Sequence, residues 1–212
     1  MTFKKSSAWK ALPALLLGLS LGACVSASYS GPIEVTRFVS ETRGSIGQGA
    51  IAITFPEEMK NIRVRDAFYN AVAIELAQLG YIIAGEVEPG IQTARLKTSR
   101  THLAPASSRG SVSVGVDTKT GGYGNGLGLG VGINLGGSSA KPNALTELWV
   151  RISDENGKSL WEGRASQAVS INSPYADVDA SAGALAAGLF QGFPGGNGET
   201  VEIAVKELQV QK

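Results

Sequence analysis

Asn156-Gly157, set between two alternating apolar runs, constrains this chain's fold more than any other feature. A two-residue turn of this kind takes positive φ at both central positions, which asparagine and glycine tolerate, and it pairs Glu155 with Lys158. Register follows from that pairing. Ile152 should face Trp161, Val150 should face Gly163 and Leu148 should face Ala165, giving one continuous apolar side. On the other side Arg151 meets Glu162 and Trp149 meets Arg164, an ion pair and a cation–π contact worth about 0.5–1 kcal/mol apiece. A slip of one residue would mix the two faces. Residues 145–167 are therefore expected to form two strands with one side on a core.

The rest of the chain supplies partners for that sheet. Strands are expected at residues 33–39 and 50–55, the second alternating Ile51, Ile53 and Phe55 with Ala52 and Thr54 before Pro56 stops it. Residues 61–79 read as a helix, with Val64, Phe68, Val72, Leu76 and Leu79 at three- or four-residue spacing and Gly80 past its end. Tyr81-Ile82-Ile83 returns as a strand. Ser173-Pro174 opens a second helix with Asp177 and Asp179 in its first turns and a stripe of Ala182, Leu185, Ala186 and Leu189; Gly192 and Pro194 end it. A closing strand at residues 200–206 alternates Val201, Ile203 and Val205 with polar residues.

The N-terminus reads as an address. Lys4, Lys5 and Lys10 precede an apolar stretch over residues 11–21 that ends in Leu21-Gly22-Ala23-Cys24. That stretch is too short to cross a ~30 Å hydrocarbon core, which takes about twenty residues in a helix. The Leu-Gly-Ala-Cys run resembles the lipobox of bacterial lipoprotein signal peptides. The resemblance implies cleavage before Cys24, a diacylglyceryl group on its thiol and an acyl chain on the new amine. Residues 1–23 are then a cleaved leader, 24–32 a small, polar lipid-anchored tether, and 33–212 a single periplasmic domain. Val25 stands where enterobacterial lipoproteins retained in the inner membrane carry aspartate, which favours the outer membrane.

Cys24 is the only cysteine and His102 the only histidine, so an acylated Cys24 leaves no thiol for a disulfide, a redox pair or a metal. Of the 19 Lys and Arg residues, three lie in the leader; the remaining 16 face 18 Asp and Glu, so no basic excess points to nucleic acid. Locally the balance differs. No acidic residue occurs between Glu88 and Asp117, and Arg95, Lys97, Arg100 and Arg109 fall in this stretch. They are candidate contacts for an anionic surface, such as lipid headgroups or an envelope polymer; the plainer reading is a solvated strand face.

Residues 110–137 hold a glycine-rich hairpin. Val112, Val114 and Val116 alternate before the turn, and Leu127, Leu129, Val131, Ile133 and Leu135 alternate after it with Gly128, Gly130, Gly132, Asn134 and Gly136. Interior strand glycines cost about 0.5–1 kcal/mol each against alanine, so the pattern needs a compensating reason. Three readings fit: a sheet hairpin with its apolar side on the core, an association surface for a second copy or a partner, and one strand of an oligomeric membrane barrel. No glycine spacing satisfies a dinucleotide or phosphate loop, and no glycine-flanked serine elbow accompanies His102. Glu86 with Glu88, and Asp177 with Asp179, are better explained as a strand end and a helix start than as carboxylate pairs. The chain reads as a non-enzyme without catalytic residues, metal or cofactor.

The lipobox, Leu79-Gly80-Tyr81, the glycine-rich hairpin, Trp161-Glu162-Gly163-Arg164-Ala165, Ser173-Pro174-Tyr175-Ala176-Asp177 and Leu189-Phe190-Gln191-Gly192-Phe193-Pro194-Gly195 together resemble the bacterial lipoprotein family of domain of unknown function 4136. The resemblance implies a compact periplasmic domain and carries over no activity. The expected fold is α+β, a two-layer sandwich of a mostly antiparallel sheet with two helices on one face, plus the hairpin. The expected function is a lipid-anchored envelope module acting by binding or by supporting assembly. Its partners would be the membrane, through Cys24, and an envelope protein. Alternatives are a self-assembling lipoprotein whose hairpin (110–137) drives homo-oligomerisation or membrane insertion, and an envelope hydrolase.

Overall fold

The computed structural model describes residues 28–41, 46–103 and 142–208. Cys24, Arg109 and the glycine-rich hairpin lie outside the described residues. The fold is α+β. Among the described residues seven strands, β1 (Ser30–Val39), β2 (Gly49–Thr54), β3 (Tyr81–Ala84), β4 (Gln92–His102), β5 (Ala144–Ser153), β6 (Ser159–Val169) and β7 (Thr200–Ile203), form one open sheet in the order β3-β2-β4-β5-β6-β1-β7. The pairings of β4 with β5, β5 with β6, β6 with β1 and β1 with β7 are antiparallel. β2 runs parallel to both β3 and β4 because α1 (Ile62–Gln78) carries the chain back between β2 and β3. β1 begins three residues before the expected position, so Ser30 to Pro32 belong to the strand and not to the tether.

Both long helices pack with the sheet into one core. From α1 come Ala67, Phe68, Val72 and Leu76, and from α2 (Val178–Phe190) come Ala182, Leu185, Ala186 and Leu189. They meet Ile33, Val35, Ile51, Leu96, Leu148, Val150, Ile152 and Trp161, each at most 1 % exposed. Asn61 caps α1 by accepting from the Val64 N–H at 3.2 Å, and Gly80 follows Leu79 at φ +102°, where a side chain would be strained.

Two expected boundaries shift. Ser173 caps only the 3-10 turn Pro174–Ala176, and Asp177 caps α2, its carboxylate accepting from the N–H groups of Asp179 and Ala180. The closing strand stops at Ile203, and Val205 starts the short helix α3 (Val205–Leu208).

The hairpin register is as expected from Leu148↔Ala165 to Ile152↔Trp161, but the loop that sets it is not a two-residue turn. Asp154 N–H donates to the Lys158 carbonyl and Gly157 N–H donates to the Asp154 carbonyl, both at 3.0 Å, enclosing Glu155, Asn156 and Gly157. Only a bulge at Leu160, between Ser153↔Ser159 and Ile152↔Trp161, restores the pairing. Asp154 explains the choice: its Oδ1 accepts from the N–H groups of Asn156 at 2.9 Å and Lys158 at 2.8 Å. The bulge also buries Leu160 and presents its carbonyl to the Ser40 N–H at 3.0 Å.

Candidate binding face

Alternation puts every second residue of β4, β5 and β6 on the sheet face away from the helices. Register then builds three rows across these strands: Arg95, Arg151 and Glu162; Lys97, Trp149 and Arg164; Ser99, Glu147 and Ser166. In the first row Arg151 Nε lies 2.9 Å from Glu162 Oε1. In the second, Lys97 Nζ and the Arg164 guanidinium lie 5.6 Å and 5.3 Å from the Trp149 ring centre, so the half-buried indole holds a cation on either side. In the third, Ser99 Oγ donates to Glu147 Oε2 at 2.9 Å. Arg164 links the second and third rows through a close ion pair with Glu147, whose carboxylate is buried.

Charge is unevenly matched on this grid. Glu147 is taken by Arg164 and Glu162 by Arg151, while the described residues give Arg95 and Lys97 no carboxylate. Arg95 lies directly opposite Arg151, like charge against like. Further along the same face the sign reverses: Glu34 of β1 sits opposite Glu202 of β7. Burial and Glu202 raise the Glu34 pKa above the ordinary carboxylate value, and Arg164 opposes them.

The expected basic patch is thus divided. β4 pairs with β5 without a break in register, so the odd-numbered Arg95 and Lys97 share the outer face and the even-numbered Arg100 points to the helix side. There Arg100 Nη1 donates to the Ala176 carbonyl at 2.8 Å and pins the turn before α2. His102, exposed, ends the same strand. The Trp149–Arg164 and Arg151–Glu162 contacts form as the hairpin register implies, whereas Lys97, Ser99 and Glu147 join them only through the pairing of β4 with β5. Strands so far apart in the chain carry no local signal for that.

Asp177 and Asp179 have structural work. Asp177's carboxyl is held below its usual range by the N–H groups of Ala180 and Asp179, and Arg63 Nη2 lies 3.2 Å from Asp179 and 3.8 Å from Asp177. Sequence reading also missed Arg37. From the helix-facing side of β1 its Nε donates to the Leu189 carbonyl at 2.9 Å, and its Nη2 to those of Gly188 at 3.0 Å and Gln191 at 2.8 Å. A strand residue thereby supplies the cation that the last turn of α2 lacks. Among the described residues no group of three His, Cys, Asp or Glu could hold a metal, and no helix is long and apolar enough to cross a membrane.

No family model matches the chain, and no curated protein matches it. Among solved structures it is similar to a PDZ domain protein from Parabacteroides distasonis, at 13% identity and a TM-score of 0.46 over 82% of this chain. It spans 38% of the length of that protein. Two structures of the PelC dodecamer from Paraburkholderia phytofirmans, each 12% identical over 74% of this chain, have TM-scores of 0.36 and 0.35 and are covered to 93% and 94% of their length.

Proposed function

We propose that the chain is an outer-membrane lipoprotein of the family its motifs resemble, anchored through Cys24, whose β4–β6 face binds an acidic surface of an envelope protein in the periplasm. The observation that carries this reading is that, among the described residues, Arg95 and Lys97 have no carboxylate partner while Lys97 and Arg164 flank the Trp149 indole. The stacked cations are held in place before a partner arrives, which reduces the side-chain entropy lost on binding. Single exposed ion pairs contribute only about 0.2–1 kcal/mol, so affinity would come from several carboxylates meeting this grid together.

A second copy of the chain is the alternative partner. The same sheet face carries Glu34 and Glu202 over β1 and β7, a sign opposite to that over β4, and the two ends of the face are complementary between copies.

The test is cross-linking and pull-down of the lipidated protein from detergent-solubilised envelope, beside an Arg95→Glu/Lys97→Glu variant altered only at exposed positions. Loss of a specific partner in the variant is the expected result. Retention of every partner would discard the face, and a ladder of homo-oligomers lost in the variant would favour the second copy.

A further inference from the structure

One end of the sheet gathers the start of β1, the end of β6, the start of β5 and the end of β4, through the pairs Ser30↔Val169, Ala144↔Val169 and His102↔Ala144. At this end Tyr29 is already fixed: its N–H donates to Ser170 Oγ and its carbonyl accepts from the Ser170 N–H, each at 2.9 Å. Only four residues lie between Cys24 and Tyr29, five Cα-to-Cα steps that reach at most about 18 Å when fully extended. The ten residues of β5 run about 30 Å from this end to the other. A bilayer that holds Cys24 therefore cannot meet the Asp154–Lys158 loop at the far end first.

Two exposed side chains fit that geometry. At this end Ile171 and Ile62 are 73% and 70% exposed; Ile82 and Val87, at 69% and 59%, lie on β3 and just after it, toward the opposite end. Ile171 directly follows Ser170. Ile62 opens α1, whose start is held beside the start of α2 by Arg63 reaching Asp179 and Asp177. Both isoleucines thus stand at the end where the chain leaves for Cys24.

We infer that this end of the domain rests on the phospholipid surface, with Ile171 and Ile62 entering the headgroup layer and the sheet standing upright on the membrane. The inference rests on the reading of Cys24 as lipidated. It leaves the Arg95–Trp149 face exposed sideways, clear of the lipid.

Acylation of Cys24 consumes the chain's one thiol, so a single introduced cysteine can carry a probe. Ile171→Cys, Ile62→Cys and Asn156→Cys proteins, each lipidated and labelled with an environment-sensitive maleimide dye, would be reconstituted into phosphatidylethanolamine–phosphatidylglycerol vesicles containing a headgroup nitroxide lipid. Several-fold loss of emission at positions 171 and 62, with little at 156, is the expected result. Equal or stronger quenching at 156 in acylated protein would overturn the orientation alone. Intact mass of the same preparations reads the anchor separately: a chain without acyl groups on Cys24 overturns the anchor and the orientation with it.

Discussion

The indole N–H of Trp161 donates to the carbonyl of Pro194 at 2.9 Å, joining the Trp-Glu-Gly-Arg strand to the Phe-Pro-Gly loop. Around that bond the Trp161 ring stacks on Phe190 at 5.4 Å and meets Phe193 at 5.1 Å. Gly163, two residues on, is where the ring lies. A Cβ there would fall on the indole and come within 2.7 Å of Leu189 Cδ1. The two most distinctive sequence motifs are thus halves of one packing unit under the end of α2.

Trp161→Phe removes the N–H and the outer ring, leaving a carbonyl unpartnered and a void; the expected cost is about 2–4 kcal/mol in urea unfolding. Gly163→Ala overpacks the site and should cost about 1–3 kcal/mol. The double variant should be less unstable than the sum by about 1 kcal/mol, because phenylalanine lacks the ring atoms that the new methyl would strike. Strict additivity would show that the clash is not what requires glycine.

Arg37 binds the last carbonyls of α2 from beneath, and burial lowers its pKa without removing its charge. Gly195, at φ +80°, leaves room for it, since a Cβ there would lie 2.7 Å from Arg37 Cδ. Arg37→Met should cost about 3 kcal/mol, as charged hydrogen bonds are lost and carbonyls left bare. Arg37→Lys should fall between, keeping the charge but not the fork. Equal stability of the methionine variant would deny the capping role.

Glu34 provides a pH-dependent test. Its pKa is raised in the folded state by burial first and Glu202 second. The folded protein therefore favours the protonated carboxyl, and ionisation costs stability as pH rises from the ordinary carboxylate value through the raised one. Glu34→Gln should be more stable than the parent at pH 7. The gain should shrink on acidification and vanish below the ordinary glutamate value of about 4.5. A gain that persisted at pH 3 would contradict the electrostatic cause.

Local pattern carries far in this chain. Helical spacing identified both apolar stripes, and alternation identified the inward residues of β5 and β6. The hairpin register was right although the turn was not: the three-residue loop held by Asp154 and the bulge at Leu160 offset each other by one residue each. The missed contacts join segments distant in the chain, whereas the Asp154 loop and the Asp177 cap turn on local side-chain hydrogen bonds. Lys97 reaches Trp149 and Arg37 reaches Leu189 through pairings that no local period encodes. A charge run ignores the parity of a strand, so it groups Arg100 with Arg95 and Lys97 although register sets Arg100 on the opposite face.

That distance between β4 and β5 yields the last prediction. The two strands pair directly up to His102↔Ala144, and the Leu103 N–H donates to the Asn143 carbonyl at 2.9 Å, so the ladder closes without any intervening strand. The edges of the described sheet are β3 and β7, neither of which adjoins this connection. A variant in which residues 104–141 are replaced by a short Gly-Ser linker should therefore keep a cooperative thermal transition and the far-UV circular dichroism of the αβ sandwich. If it instead unfolds without a transition, the glycine-rich segment belongs to the core, as its alternating valines and leucines would allow. If it folds, that segment is dispensable to the domain, and the reason for its alternating glycines lies in what it contacts outside the domain.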